Sequence, residues 1–199
     1  MNRPIFLLII LSLITMPLFA LRGISESYQA ETDGNYVLAH LIMQELLEQD
    51  KNEPFFQIRS AWLLYQMGKH AEALVSYQNA NRLRENIDAN IGIINCQLAL
   101  GNWKDALSLG SMQVKLHPEN TTLLGKAAYA AYMIKDYAKA AQFYTHIFQV
   151  YPWDMENRGY LVNNLYLSGD INGAKEHFRL LKKYYPQSAI ITIYKGILE

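Results

Sequence analysis

The chain has 199 residues, 51% of them hydrophobic, and its 18 basic and 18 acidic side chains cancel. Such a balance argues against partners held by charge, such as nucleic acid or an anionic membrane face, while the apolar share suffices for a continuous core. A single cysteine, Cys96, excludes an intramolecular disulfide; set among Ile93, Ile94 and Leu98 it reads as a small buried hydrophobe, so stability must come from packing.

Residues 1–20 stand apart from the rest. Arg3 precedes an apolar run from Ile5 to Leu11 that continues to Met16, broken only by Ser12 and Thr15; Pro17 then interrupts it and Ala20 offers a small residue for cleavage. This is the layout of a secretory signal. Leu18 is bulky for a position three residues before a cut, and the 17 residues from Ile5 to Leu21 reach the short end of a bilayer span, so a retained anchor is the alternative. No cysteine follows the run, which argues against a lipid anchor. Both readings export the chain. It is periplasmic or secreted if cut after Ala20, and otherwise membrane-anchored through residues 5–21 with the remainder outside the cytoplasm.

Beyond this segment one turn recurs five times: Gly34-Asn35-Tyr36, Gly68-Lys69-His70, Gly101-Asn102-Trp103, Lys135-Asp136-Tyr137 and Gly169-Asp170-Ile171, at steps of 34, 33, 34 and 34 residues. Three residues past each turn stands an alanine: Ala39, Ala73, Ala106, Ala140 and Ala174. Pro118, Pro152 and Pro186 repeat at the same interval. A period of this size marks stacked supersecondary units. In the best-formed unit, Trp62 to Tyr65 lead up to Gly68, and Ala73, Leu74, Tyr77 and Ala80 follow it at helical spacing. Two helices of about a dozen residues meet at a glycine that accepts a left-handed conformation. The alanine is small because the two helices cross there, and each proline ends a second helix.

These residues resemble the tetratricopeptide repeats, whose pattern pairs an alanine with an aromatic four positions later and closes on a proline. Ala73 with Tyr77, Ala140 with Tyr144 and Ala174 with Phe178 fit it. Gly110 departs from it by replacing the aromatic, Lys135 by replacing the turn glycine, and Ile94 and Val162 by their bulk. The resemblance implies an all-α, right-handed solenoid of stacked helix-turn-helix repeats. Its units are expected at 54–86, 87–120, 121–154 and 155–188. Residues 21–53 form an atypical first repeat or cap, where Glu31-Thr32-Asp33 makes a weak helix end, and 189–199 form a half-repeat helix.

The resemblance also implies that the first helix of each pair lines a concave face where partners bind. Six residues before each turn stand Tyr28, Trp62, Asn95, Tyr129 and Asn163. Three before stand Glu31, Tyr65, Leu98, Tyr132 and Tyr166, and Phe55 and Ile58 extend the stripe. The expected groove is therefore Phe55, Ile58, Trp62 and Tyr65, then Asn95, Tyr129 and Tyr132, then Asn163 and Tyr166. Rings supply contact area at low entropic cost and asparagines hold a peptide backbone, which suits an extended or proline-rich segment. The lysine and arginine clamp by which some members of the family grip acidic chaperone tails is missing from this face.

At the C-terminus Ile190, Ile193, Tyr194 and Ile197 make an apolar helix face. It is expected either to dock on a second copy or a partner, or to fold back on the last repeat. The basic group Arg179, Lys182 and Lys183 reads as a solvated helix face. His40, His70, His117, His146 and His177 lack metal-ligand spacing, Ser111 lacks the second glycine of a nucleophile elbow, and Asp154 with Glu156 reads as a helix start. No cofactor, metal or catalytic residue is expected. The sequence reads as a scaffold or adaptor of the cell envelope that binds an extended segment of another exported protein. The alternative is a carbohydrate- or cell-wall-binding accessory of an envelope enzyme complex, and a hydrolase assembled from distant residues ranks third.

Overall fold

A computed structural model describes residues 23–199. The signal or anchor expected at 1–20 lies outside them. Eleven helices and no strand occur among the described residues. They are α1 (Ile24–Thr32), α2 (Tyr36–Gln49), α3 (Pro54–Gln66), α4 (His70–Leu83), α5 (Ile87–Ala99), α6 (Trp103–Leu116), α7 (Thr121–Met133), α8 (Tyr137–Val150), α9 (Met155–Ser168), α10 (Ile171–Tyr184) and α11 (Ala189–Tyr194). The first ten pair into five hairpins, and each helix packs on its chain neighbours. Contacts two helices apart join α3 to α5, α5 to α7 and α9 to α11, so the first helices of the hairpins form one layer. The architecture is a right-handed solenoid of helix-turn-helix repeats.

All five turns are left-handed at their first position, with φ of 74° at Gly34, 76° at Gly68, 77° at Gly101 and 90° at Gly169. Lys135 adopts the same conformation, φ 64°, although its Cβ makes it unfavourable. The following helix starts on Asn35, Asp136 or Asp170, whose side chain accepts a bond from the amide three residues on. Ala39, Ala73, Ala106, Ala140 and Ala174 are fully buried where the paired helices cross. Each of α6, α8 and α10 ends two residues before its proline.

The departures from the repeat pattern have local answers. An added Cβ at Gly110 would lie 3.2 Å from the Ala127 Cβ, so the absent ring lets α6 close on α7. Ile94 and Val162 are fully buried within the stack. α1 reaches Thr32 because the Thr32 hydroxyl donates to the Tyr28 carbonyl at 2.9 Å and the Gln29 amide donates to Asp33 at 3.0 Å. Cys96 is buried, as its neighbours suggest, and burial pushes its thiol pKa up to about 12.

Candidate functional site

Two cavities open along the layer of first helices, and together they take in seven of the nine residues of the expected groove. The first, about 980 Å³, is lined by Phe55, Ile58, Trp62 and Asn95 above Tyr77 and Gln113. Its depth follows from Gly92 in α5, over whose bare Cα the Tyr77 ring lies: an added Cβ would meet that ring at 2.4 Å. Burial pushes the Tyr77 phenol pKa up, so it remains a protonated hydroxyl. At the floor Gln113 is 1% exposed, and its amide nitrogen has no hydrogen-bond partner among the described residues. A donor left unpaired at this depth is costly unless something else accepts from it.

Toward the N-terminus the groove is filled. The Arg59 guanidinium pairs with Glu31 and lies 4.6 Å from the centre of the Tyr28 ring and 4.9 Å from that of Trp62. Tyr65, expected in the groove, lines neither cavity; its ring packs on His70 at 4.8 Å.

The second cavity, about 630 Å³, is lined by Tyr129, Tyr132, Asn163 and Leu98 from the expected stripe. Lys126, Tyr144, Tyr160 and Asn164 join them. Tyr144 and Tyr160 stack at 5.7 Å, and burial raises the pKa of the Tyr144 phenol. Lys126 makes no ion pair or hydrogen bond among the described residues, and burial pulls its pKa below the ordinary lysine value.

The C-terminal helix ends this groove. Of the two expectations for the C-terminal helix, outward docking or folding back, Tyr194 follows the second: it is 5% exposed. Its hydroxyl donates to Asn163 Oδ1 at 2.7 Å and its ring meets Tyr166 at 4.8 Å, so Tyr166 is covered by the chain itself. The polar tip allows this, since a tyrosine can bury its ring once its hydroxyl finds an acceptor. Ile190 packs over Gly159, where an added Cβ would come within 3.2 Å of it. Ile193 and Ile197 stay exposed, at 59% and 50%.

Arg59, Gly92, Lys126, Tyr160 and Tyr194 share one register, nine residues before the turn or 34 beyond the preceding member. That column decides what fills the groove at each level: a guanidinium, a gap, an ammonium, then two phenols. The stripes three and six residues before the turn do not contain it, which is why sequence reading missed Lys126 and Tyr160. The same period, read one helical turn earlier, carries the signal.

Asp154 begins α9, accepting from the Asn157 amide at 3.0 Å. No group of three or more His, Cys, Asp or Glu among the described residues is placed to hold a metal ion. No helix among them is long and apolar enough to cross a membrane.

Paired helices of near-constant length, crossing at buried alanines and stacked in one direction, define a helical-repeat solenoid. Residues 160–188 match the tetratricopeptide repeat family, and that matched unit lies within the helix-turn-helix solenoid. Among curated proteins no sequence matches. Among solved structures, a tetratricopeptide repeat protein from Parabacteroides merdae superposes with a TM-score of 0.77 at 20% identity, covering 88% of this chain and 70% of that one. MamA from Desulfovibrio magneticus RS-1 gives 0.74 at 17% identity, covering 83% and 94%. YrrB, described as a TPR protein with an unusual peptide-binding site, gives 0.74 at 14% identity, covering 87% and 90%.

Proposed function

We propose that this chain is a non-catalytic scaffold of the cell envelope that holds an extended segment of a partner protein in its first cavity. The carrying observation is the pairing, at one opening, of the exposed Phe55 ring and the half-buried Trp62 ring with a buried amide donor that lacks an acceptor. Phe55 and Trp62 offer apolar surface to a side chain, Asn95 offers a donor and an acceptor to a backbone, and the Gln113 amide donates to a carbonyl that enters. The peptide-binding site named for YrrB supports the reading. Export is part of the proposal and rests on the apolar run at 5–21, with membrane attachment if that run is retained. Self-association through Ile193 and Ile197 belongs to it as well.

The test is selection of peptides on the full chain, followed by titration of the winners. Phe55→Ser and Asn95→Ala should each weaken them about tenfold or more, the size of a hot-spot loss. Peptides whose affinity ignores both substitutions would remove the proposal. Cell fractionation checks export, and light scattering showing a strict monomer at high concentration would remove self-association.

A further inference from the structure

The second cavity differs from the first in three ways. It is closed on its C-terminal side, where Ile190 forms part of the wall and Tyr194 holds Asn163. With α11 across that end, a compact ligand fits the volume of about 630 Å³. Its lining carries one charge, Lys126, and no carboxylate. Finally, Asn164 is 2% exposed, its amide nitrogen donates to the Tyr160 carbonyl at 2.8 Å, and its Oδ1 has no hydrogen-bond partner among the described residues. The cavity thus presents a buried acceptor that requires a donor, and a half-buried ammonium that requires an anion.

The remaining lining narrows the chemistry. Thr121 and Thr122 carry hydroxyls that both donate and accept, as sugar hydroxyls do, and Asn157, whose amide nitrogen donates to Asp154 at 2.6 Å, adds its carbonyl oxygen as an acceptor. Tyr129 and Tyr160 are 44% and 49% exposed, leaving ring surface for the apolar C–H face of a pyranose. A peptide terminus would satisfy Lys126 but leave this ring of small polar side chains largely unused.

We propose that the second cavity binds a carboxylated saccharide, its carboxylate on Lys126, a hydroxyl donating to Asn164 Oδ1, and its C–H face against Tyr129 and Tyr160. Burial that lowers the Lys126 pKa adds to this, because a paired anion restores the charged form. The proposal goes beyond the peptide reading and uses different residues.

The experiment is calorimetric titration of the full chain with D-glucuronic acid, D-glucose and acetyl-alanyl-alanine. Glucuronic acid should bind saturably, and glucose about tenfold or more weakly, as loss of a charge-assisted bond dictates. Lys126→Met should weaken glucuronic acid by a similar factor with an unchanged melting temperature. Tyr129→Ala, at an exposed ring, should weaken both sugars. Phe55→Ser should leave sugar binding intact, so the two proposals fail separately. Absence of saturable binding by glucuronic acid, or binding unaltered in Lys126→Met, overturns the assignment. So does a dipeptide that binds as tightly as the sugar acid, which would assign the cavity to a peptide terminus.

Discussion

Gly92→Ala isolates the packing that opens the first cavity. Gly92 lies in the interior of α5, and its added Cβ would stand 2.4 Å from Cε1 and Cζ of Tyr77 and 2.6 Å from Cδ1. Carbon atoms rest about 3.5–4.0 Å apart, so the ring must move by roughly 1 Å or more. Tyr77 is 5% exposed and packs with Ala61, Leu64, Ala73 and Ala89, so it has little room to move. Overpacking of this kind costs about 1–3 kcal/mol, against a gain of about 1 kcal/mol for alanine over glycine in a helix interior. The net is a loss of about 0–2 kcal/mol. Gly125→Ala in α7 is the control, since nothing lies within 4 Å of its added Cβ and only the helical gain of about 1 kcal/mol applies. Urea unfolding followed by far-UV circular dichroism should therefore place Gly92→Ala about 1–3 kcal/mol below Gly125→Ala. In a Tyr77→Ala background Gly92→Ala should become stabilising, as a double-mutant cycle requires. Equal stability of the two glycine variants in the native background would refute the reasoning.

Three further outcomes follow from single sites. Lys135→Gly should raise the urea-derived stability by about 0.5–1 kcal/mol, relief of the left-handed strain exceeding the extra chain entropy of glycine; a lower value would show that the lysine stem contributes packing instead. His177 Nδ1 lies 2.9 Å from the Arg158 guanidinium, a permanent donor, so the imidazole accepts and is neutral; burial first, and the arginine charge second, hold its pKa below the ordinary histidine value. His40 is lowered too, mainly by burial. The unfolded chain therefore takes up more protons as pH falls below about 6.5, and the urea midpoint should decline from there toward the folded pKa values, less steeply in His177→Gln; a midpoint that rises on acidification would contradict this. Cys96, fully buried with a raised thiol pKa, should resist Ellman's reagent in the native state and react once urea unfolds the chain.

The fold was legible in the sequence because a turn of fixed length forces the same side chains into the same places. Gly68 must be left-handed and Ala73 must be small wherever two helices of this size meet, and those demands surface every 33 or 34 residues. The site was legible only in part. Trp62, Asn95 and Tyr129 lie on the helix stripe that spacing alone identifies. The fate of Tyr65, which leans on His70, depends on rotamer and neighbour rather than register. Tyr194 could be placed only once Asn163, 31 residues earlier, was known to supply its acceptor. Lys126 and Asn164 owe their character to burial across three successive hairpins, which no local window contains.

The column formed by Arg59, Gly92, Lys126, Tyr160 and Tyr194 has a wider meaning. The crossing alanines stand on the second helices, whereas the column stands on the first helices and α11, so the two periodic sets occupy different surfaces. Two members of the column also pack: Gly92 admits the Tyr77 ring, and Tyr194 is 5% exposed. Exchanging an ammonium for a phenol at Lys126, or a gap for a side chain at Gly92, therefore rewrites the wall of one cavity, and at Gly92 its packing as well.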